Sequence, residues 1–126
     1  MRVLIVEPSI ELGELWRRHI ERMGAGVETA RSQDEAIAIL RERGVDVIVL
    51  DLVLDDGAAF AVADFASYRW PLAKVVFVTN TSFFSDGSIF RHIPNACAFV
   101  QARTPPEDLA AIVEHHGQER AIKPLA

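Results

Sequence analysis

The 126-residue chain has a single cysteine, Cys97, so no internal disulfide can hold it together, and a lone thiol fits a reducing compartment. No apolar run approaches the length of a membrane span. The start lacks the charged segment, apolar stretch and cleavage site of a signal peptide, which makes the cytoplasm the expected address. Positive charge is in deficit: the net charge of -5 argues against nucleic acid as partner, since phosphate binding needs a basic face. Arg17, Arg18 and Arg22, like Arg41 and Arg43, are interleaved with glutamates and read as solvated helix faces. Four scattered histidines and one cysteine give no zinc spacing, and His115 and His116 are adjacent, so a helix points them in different directions. There is no glycine-rich phosphate loop, nucleophile elbow or Ser/His/Asp constellation; Gly24 and Gly26 lie between a helix and a strand, the wrong context for a dinucleotide fingerprint. These absences point away from an enzyme.

What remains is an ordinary globular composition, half hydrophobic and a quarter charged. At this length roughly two-thirds of the unfolded surface is buried on folding, enough for one domain without a metal or disulfide staple. Short apolar runs alternate with amphipathic stretches. Strands are predicted at about residues 3–6, 26–30, 45–51, 74–79 and 97–101. The first helix, about residues 9–23, carries Leu12, Leu15, Trp16, His19 and Met23 on its inner face and is ended by Gly24 and Gly26. Ser32 and Glu35 form a capping box opening a second helix, with Ala36, Ile37 and Leu40 inward. Asp55, Asp56 and Gly57 make a turn before a third helix to about residue 68. A weaker fourth helix, about residues 85–93, stops at Pro94. A fifth is capped by Thr104 with Pro105 first, and turns Leu109, Ile112, Val113 and His116 inward. The domain spans residues 1–117, followed by a polar tail over 118–126.

Strands apolar on both faces need helices on both sides. The expected fold is therefore α/β: a doubly wound, five-stranded parallel sheet with five helices. Ligands of such sheets bind beyond the carboxyl ends of the strands. There the first strand delivers Glu7, the third Asp51, the fourth Thr79 and Asn80, and the fifth Gln101, Ala102 and Arg103. Two carboxylates about 4 Å apart repel by roughly 4 kcal/mol at an effective dielectric near 20. A divalent cation, a proton or separation in space must offset that, and hard oxygen ligands on a shallow rim suit Mg²⁺.

These residues, in this order over residues 2–116, resemble the receiver domain of bacterial response regulators of the CheY-like superfamily, whose strand order is 2-1-3-4-5. The resemblance implies a phosphorelay module of two-component signal transduction, with a histidine kinase or phosphotransfer protein upstream and a protein partner downstream. It implies that Asp51 accepts the phosphoryl group and that Glu7, Asp51 and the Val53 carbonyl hold Mg²⁺. Thr79 matches the hydroxyl that hydrogen-bonds the phosphoryl group, and Phe99 the aromatic switch position. In such domains the face of the fourth helix, fifth strand and fifth helix often carries a partner or homodimer contact; Phe83, Phe84, Ile89 and Phe90 fall there. The chain departs from the pattern at four positions. Pro8 stands where a second metal-binding acid is usual, Asp55 replaces a common proline, and Asn80 replaces a small residue. Ala102 stands in place of a lysine, and strand alternation would point the adjacent Arg103 to the other face. Asp55 or Asp56 reaching the cation would partly replace the missing acid. Three readings stay open: an atypical receiver phosphorylated at Asp51, a receiver-shaped docking module needing no phosphoryl transfer, and a small flavodoxin-like cofactor binder.

Overall fold

Each central strand sends alternate side chains to opposite faces, and both sets are buried. In a computed structural model, which describes residues 1–54, 57–80 and 93–121, Leu4, Val6, Ile48, Leu50, Val75 and Phe77 join one core and Val3, Ile5, Val47, Val49, Val76 and Val78 the other. A sheet buried on both sides must be covered twice, and it is. Helix α1 (Ile10–Glu21) and helix α4 (Pro106–Ala121) cover the second core; α2 (Gln33–Glu42) and α3 (Ala59–Arg69) cover the first.

The sheet strands are β1 (Arg2–Val6), β2 (Gly26–Ala30), β3 (Val47–Asp51), β6 (Lys74–Thr79) and β7 (Ala96–Gln101). They are all parallel, in the order β2-β1-β3-β6-β7. This is the expected 2-1-3-4-5 arrangement, and the order reverses between β1 and β3. The fourth helix expected at about residues 85–93, with Phe83, Phe84, Ile89 and Phe90, lies outside the described residues apart from Ile93, which is buried.

Two short strands were not anticipated. After Asp51 the chain forms an antiparallel hairpin of β4 (Val53–Leu54) and β5 (Gly57–Ala58). Two-residue strands carry no periodicity to read.

The inner face of α1 is largely the expected one: Trp16 is buried and Leu12 and Met23 pack half-buried against the same core, joined by buried Gly13 and Ile20, while Leu15 and His19 are half-buried. Gly13 lies over Glu7, where an added Cβ would meet Glu7 Cβ at 3.8 Å. Gly24 takes φ +97°, the left-handed conformation that ends a helix at low cost in glycine. In α4, Pro106 and not Pro105 is the first helical residue, and the Pro105 carbonyl accepts from Asp108 and Leu109. Leu109 and Val113 are buried, Ile112 and His116 half-buried. The helix continues past 117 to Ala121, and the lack of a side chain at Gly117 leaves room for Met1, with which an added Cβ would collide.

Ser32 caps α2, its hydroxyl accepting from the Glu35 amide at 3.1 Å. Ser32→Ala leaves that amide without its partner and is expected to cost about 1 kcal/mol in chemical denaturation. A Ser32→Asp variant restoring the acceptor should recover most of it.

Candidate functional site at the carboxyl rim

The strand register brings the acids together. Val6 pairs with Leu50, so Glu7 and Asp51 leave β1 and β3 side by side, at the point where strand order reverses. Asp51 in turn pairs with Val78, which places Thr79 one residue further along the next strand. Glu7, Asp51 and Thr79 therefore stand at the ends of three adjacent strands on one rim.

Glu7 is only 5 % exposed, an unusual position for an acid. Its Oε2 accepts a hydrogen bond from the Ser9 amide at 2.9 Å. Its other oxygen, Oε1, is buried without a donor. Burial, then a hydrogen bond with Asp51 and Asp51's charge, push the Glu7 carboxyl up from 4.5 to about 8; the Ser9 amide opposes them. Both observations have one explanation. Near neutral pH Glu7 keeps its proton and donates it to Asp51, whereas two ionised carboxylates would leave Oε1 facing a like charge. Of the three ways to offset the repulsion, the metal-free pair uses the proton.

Asp51 is half-buried and oriented by the chain that follows it. Its Oδ1 accepts from the Val53 amide at 2.9 Å, an Asx turn that starts the β4–β5 hairpin. The Leu52 amide still donates to the Val78 carbonyl at 2.9 Å, so the backbone stays tied to the sheet up to the residue after Asp51.

Thr79 is buried and lines a cleft of about 290 Å³ with Asn80, Gln101, Ala102 and Arg103. Neither Glu7 nor Asp51 lines that cleft, so the rim carries an acidic pair and, beside it, a separate hollow. Arg103 borders the cleft together with Thr79. The strand ends at Gln101, and the Thr104 amide closes a turn onto the Gln101 carbonyl at 2.9 Å, so strand parity no longer applies at 103. Phe99 stacks on the fully buried Phe77, ring centroids 5.0 Å apart, and Phe77 meets Phe60 at 5.7 Å.

The residues present fit Mg²⁺ in part. Two carboxylates in contact, one with a donorless oxygen, form a place that favours positive charge. Glu7 and Asp51 would supply side-chain oxygens and Val53 its carbonyl. Pro8 adds none, Asp55 and Asp56 lie outside the described residues, and no group of three His, Cys, Asp or Glu side chains suited to a metal occurs among the described residues. His115 and His116 simply pack edge to face at 5.1 Å. Cys97 is half-buried, its thiol donating to the Val75 carbonyl at 3.4 Å.

A larger depression, about 660 Å³, lies at the opposite, amino ends of β1, β3 and β6, lined by Arg2, Arg43, Asp46, Trp70 and Leu72 among others. Its arginines are both paired with Glu28, at 3.0 and 2.6 Å, and Trp70 donates to the Leu40 carbonyl at 2.7 Å. Those contacts serve structure, and the depression is far from the acids. No helix among the described residues is long and apolar enough to cross a membrane.

No family profile matches the sequence, and no curated protein matches it. Solved structures do. A CheY-like response regulator receiver domain protein from Methanospirillum hungatei aligns over 98 % of both chains with a TM-score of 0.87 at 20 % identity. The chemotaxis response regulator CheY4 of Vibrio cholerae aligns over 91 % of this chain and 97 % of its own, with a TM-score of 0.81 at 20 % identity. The response regulator TrrA from Thermotoga maritima, solved in complex with Mg²⁺-BeF, aligns over the same shares with a TM-score of 0.78 at 20 % identity. Over nearly its whole length the chain has the fold of the CheY-like response regulator receiver domains.

Proposed function

We propose that the protein is an atypical receiver module of two-component signalling, without enzymatic turnover of its own, in which Asp51 accepts a phosphoryl group from a phosphohistidine donor. The observation that carries this reading is the buried Glu7 held against Asp51 at the topological switch point of a receiver-type sheet. In the step itself an Asp51 carboxylate oxygen forms a bond to phosphorus as the donor's P–N bond breaks, and the departing imidazole nitrogen takes up a proton. The Val53 amide, bound to Oδ1, holds the carboxylate in one orientation. Thr79 would donate its hydroxyl to a phosphoryl oxygen, and Phe99 would report the change through its stack on Phe77. Mg²⁺, when bound by Glu7, Asp51 and the Val53 carbonyl, supplies charge neutralisation for the incoming phosphoryl group. TrrA, a structural neighbour, binds Mg²⁺ with BeF, which supports the same chemistry here. Binding should be weak, since Pro8 contributes no oxygen and the Glu7 proton must leave first.

Pro8 and Ala102 favour a second reading: a receiver-shaped docking module that never turns on phosphorylation. Incubation with Mg²⁺ and a small-molecule phosphodonor, beside Asp51→Asn, separates the two. A mass gain of one phosphoryl group in the wild type and none in the variant is expected. No gain at saturating donor would leave the docking module standing. The partners, a histidine kinase or phosphotransfer protein upstream and a protein downstream, follow from the first reading.

A further inference from the structure

The depression at the amino ends of β1, β3 and β6 has preformed walls. The Asp46 amide donates to the Arg2 carbonyl at 2.8 Å and the Lys74 amide to the Asp46 carbonyl at 3.0 Å, which ties three strand entries edge to edge. The Ala73 amide donates to the Trp70 carbonyl at 2.9 Å and closes the turn that carries Pro71 and Leu72. Trp70 presses on Gly44, where an added Cβ would meet its ring at 3.2 Å. The volume of about 660 Å³ falls within the roughly 300–1,000 Å³ of clefts that hold ligands. Val45, Trp70, Pro71 and Leu72 make the lining largely apolar, and Leu72 is 54 % exposed. The arginines at its edge share Glu28, and the Asp46 carboxylate accepts from the Arg2 amide at 2.7 Å. Glu42, also in the lining, is exposed and makes no side-chain hydrogen bond or ion pair among the described residues. An apolar hollow with a negative charge at its edge fits a basic residue flanked by apolar ones.

The chain carries such a segment nearby. Helix α4 follows a parallel strand and runs back to the amino rim, where Gly117 lies against Met1, the residue before Arg2. The helix ends at Ala121, and the next residues are Ile122, Lys123, Pro124, Leu125 and Ala126. Pro124 cannot continue a helix and biases Lys123 toward extended backbone. Five extended residues span about 17 Å. The strands β1 and β6 are separated only by β3, about 10 Å in all, so this reach covers the rim from Met1 to Leu72.

We propose that the depression is the docking site for this chain's own segment 122–126, with Leu125 against Trp70 and Leu72 and the Lys123 ammonium beside Glu42. Trp70 is held by its bond to the Leu40 carbonyl, so it presents a fixed surface that costs little to order. Docked there, the segment shields Leu72 and ties the end of α4 to the turns that follow α2 and α3, on the rim opposite Glu7 and Asp51. It also closes an apolar surface that would otherwise stand open to other proteins. No part of this contact depends on a phosphoryl group at Asp51, so it stands whether or not the receiver reading does.

Paramagnetic NMR on the full chain tests this. A nitroxide is attached at position 126 through Ala126→Cys, with Cys97→Ser removing the native thiol while keeping a donor for the Val75 carbonyl. Amide signals of residues 44–46 and 70–73 should be strongly broadened, and those of residues 51–53 on the opposite rim should not. Leu125→Asp, which puts a carboxylate beside Glu42 and Asp46, should lower the docked-to-free ratio about tenfold or more. Glu42→Lys should lower it about two- to fivefold, as expected of an exposed ion pair, and adding Lys123→Glu should restore it. A swap that restores nothing would overturn the pairing of Lys123 with Glu42. Mixing nitroxide-bearing protein with isotope-labelled protein that lacks the nitroxide tests for a second copy as occupant. Broadening seen only between molecules would overturn docking within one chain. Absence of broadening at residues 44–46 and 70–73, or broadening that Leu125→Asp leaves unchanged, would overturn the proposal altogether. Glu42 is exposed and the other altered positions lie beyond α4 or keep their donor, so the variants should keep the fold, checked by unchanged amide dispersion in β1, β3 and β6.

Discussion

Glu7→Gln is expected to stabilise the protein by about 2–3 kcal/mol in alkaline solution and by about 1 kcal/mol at about pH 6, while leaving it nearly unchanged at about pH 4. The sign follows from proton linkage. Glu7 titrates at 4.5 when unfolded and at about 8 when folded, so between those values the folded protein holds a proton that the unfolded chain releases. The stability this proton contributes is complete below pH 4.5 and is lost as the pH rises through about 8. Above that, the wild type carries two ionised carboxylates at one buried place. At about 1.4 kcal/mol per tenfold change in proton affinity the full penalty is just under 5 kcal/mol. Solvent at the rim reduces it by about half. Glutamine keeps the shape of the protonated acid: its carbonyl can accept from the Ser9 amide as Oε2 does, and its amide can donate to Asp51. Urea midpoints at about pH 4 and pH 9 measure this directly. Equal loss of stability at both pH values would mean that Glu7 and Asp51 share no proton. Added Mg²⁺ should shrink the alkaline penalty in the wild type and do nothing for Glu7→Gln, because cation and proton compete for one place.

Phe77→Ala should be the most damaging single truncation in the described core, costing about 3–5 kcal/mol. Phe77 is fully buried in β6, between β3 and β7, and its ring joins Phe60 on α3 to Phe99 on β7. Its removal takes out a large apolar side chain, opens a cavity that flanking strands cannot close, and ends both ring contacts. A conservative Phe77→Leu keeps much of the volume and should cost markedly less. Because Phe99 loses its stacking surface, the phosphodonor response should also fail to reach β7 in a variant stable enough to assay. A loss below about 1 kcal/mol for Phe77→Ala would mean that Phe77 is not packed into the sheet core.

The strand runs reveal the fold because they are apolar on both faces, and only helices on both sides can bury such strands. Glu7, Asp51 and Thr79 were legible for the same reason: each ends a strand, and parallel order puts all three ends on one rim. Three features were not. The burial of Gly13 and Ile20 on α1 shows no signal in the spacing of Leu12, Leu15, Trp16, His19 and Met23, since it depends on which neighbours the helix meets. The β4–β5 hairpin is too short for any pattern and is started by the Asp51 to Val53 bond. Arg103 borders the Thr79 cleft because β7 ends at Gln101 and the chain turns there, beyond the reach of strand alternation. The choice between proton, cation and separation at the acidic pair needed the burial of Glu7, a property of packing and not of residue order.

Carboxyl ¹³C NMR of Glu7 across the pH range, in metal-free protein and in Asp51→Asn, addresses that pair without reference to any partner or donor. The wild-type resonance should turn over near pH 8, and in Asp51→Asn the midpoint should fall while staying above 4.5, since burial outweighs the contribution of Asp51. A wild-type midpoint at the ordinary glutamate value, or one that Asp51→Asn leaves in place, would contradict a protonated Glu7 held against Asp51.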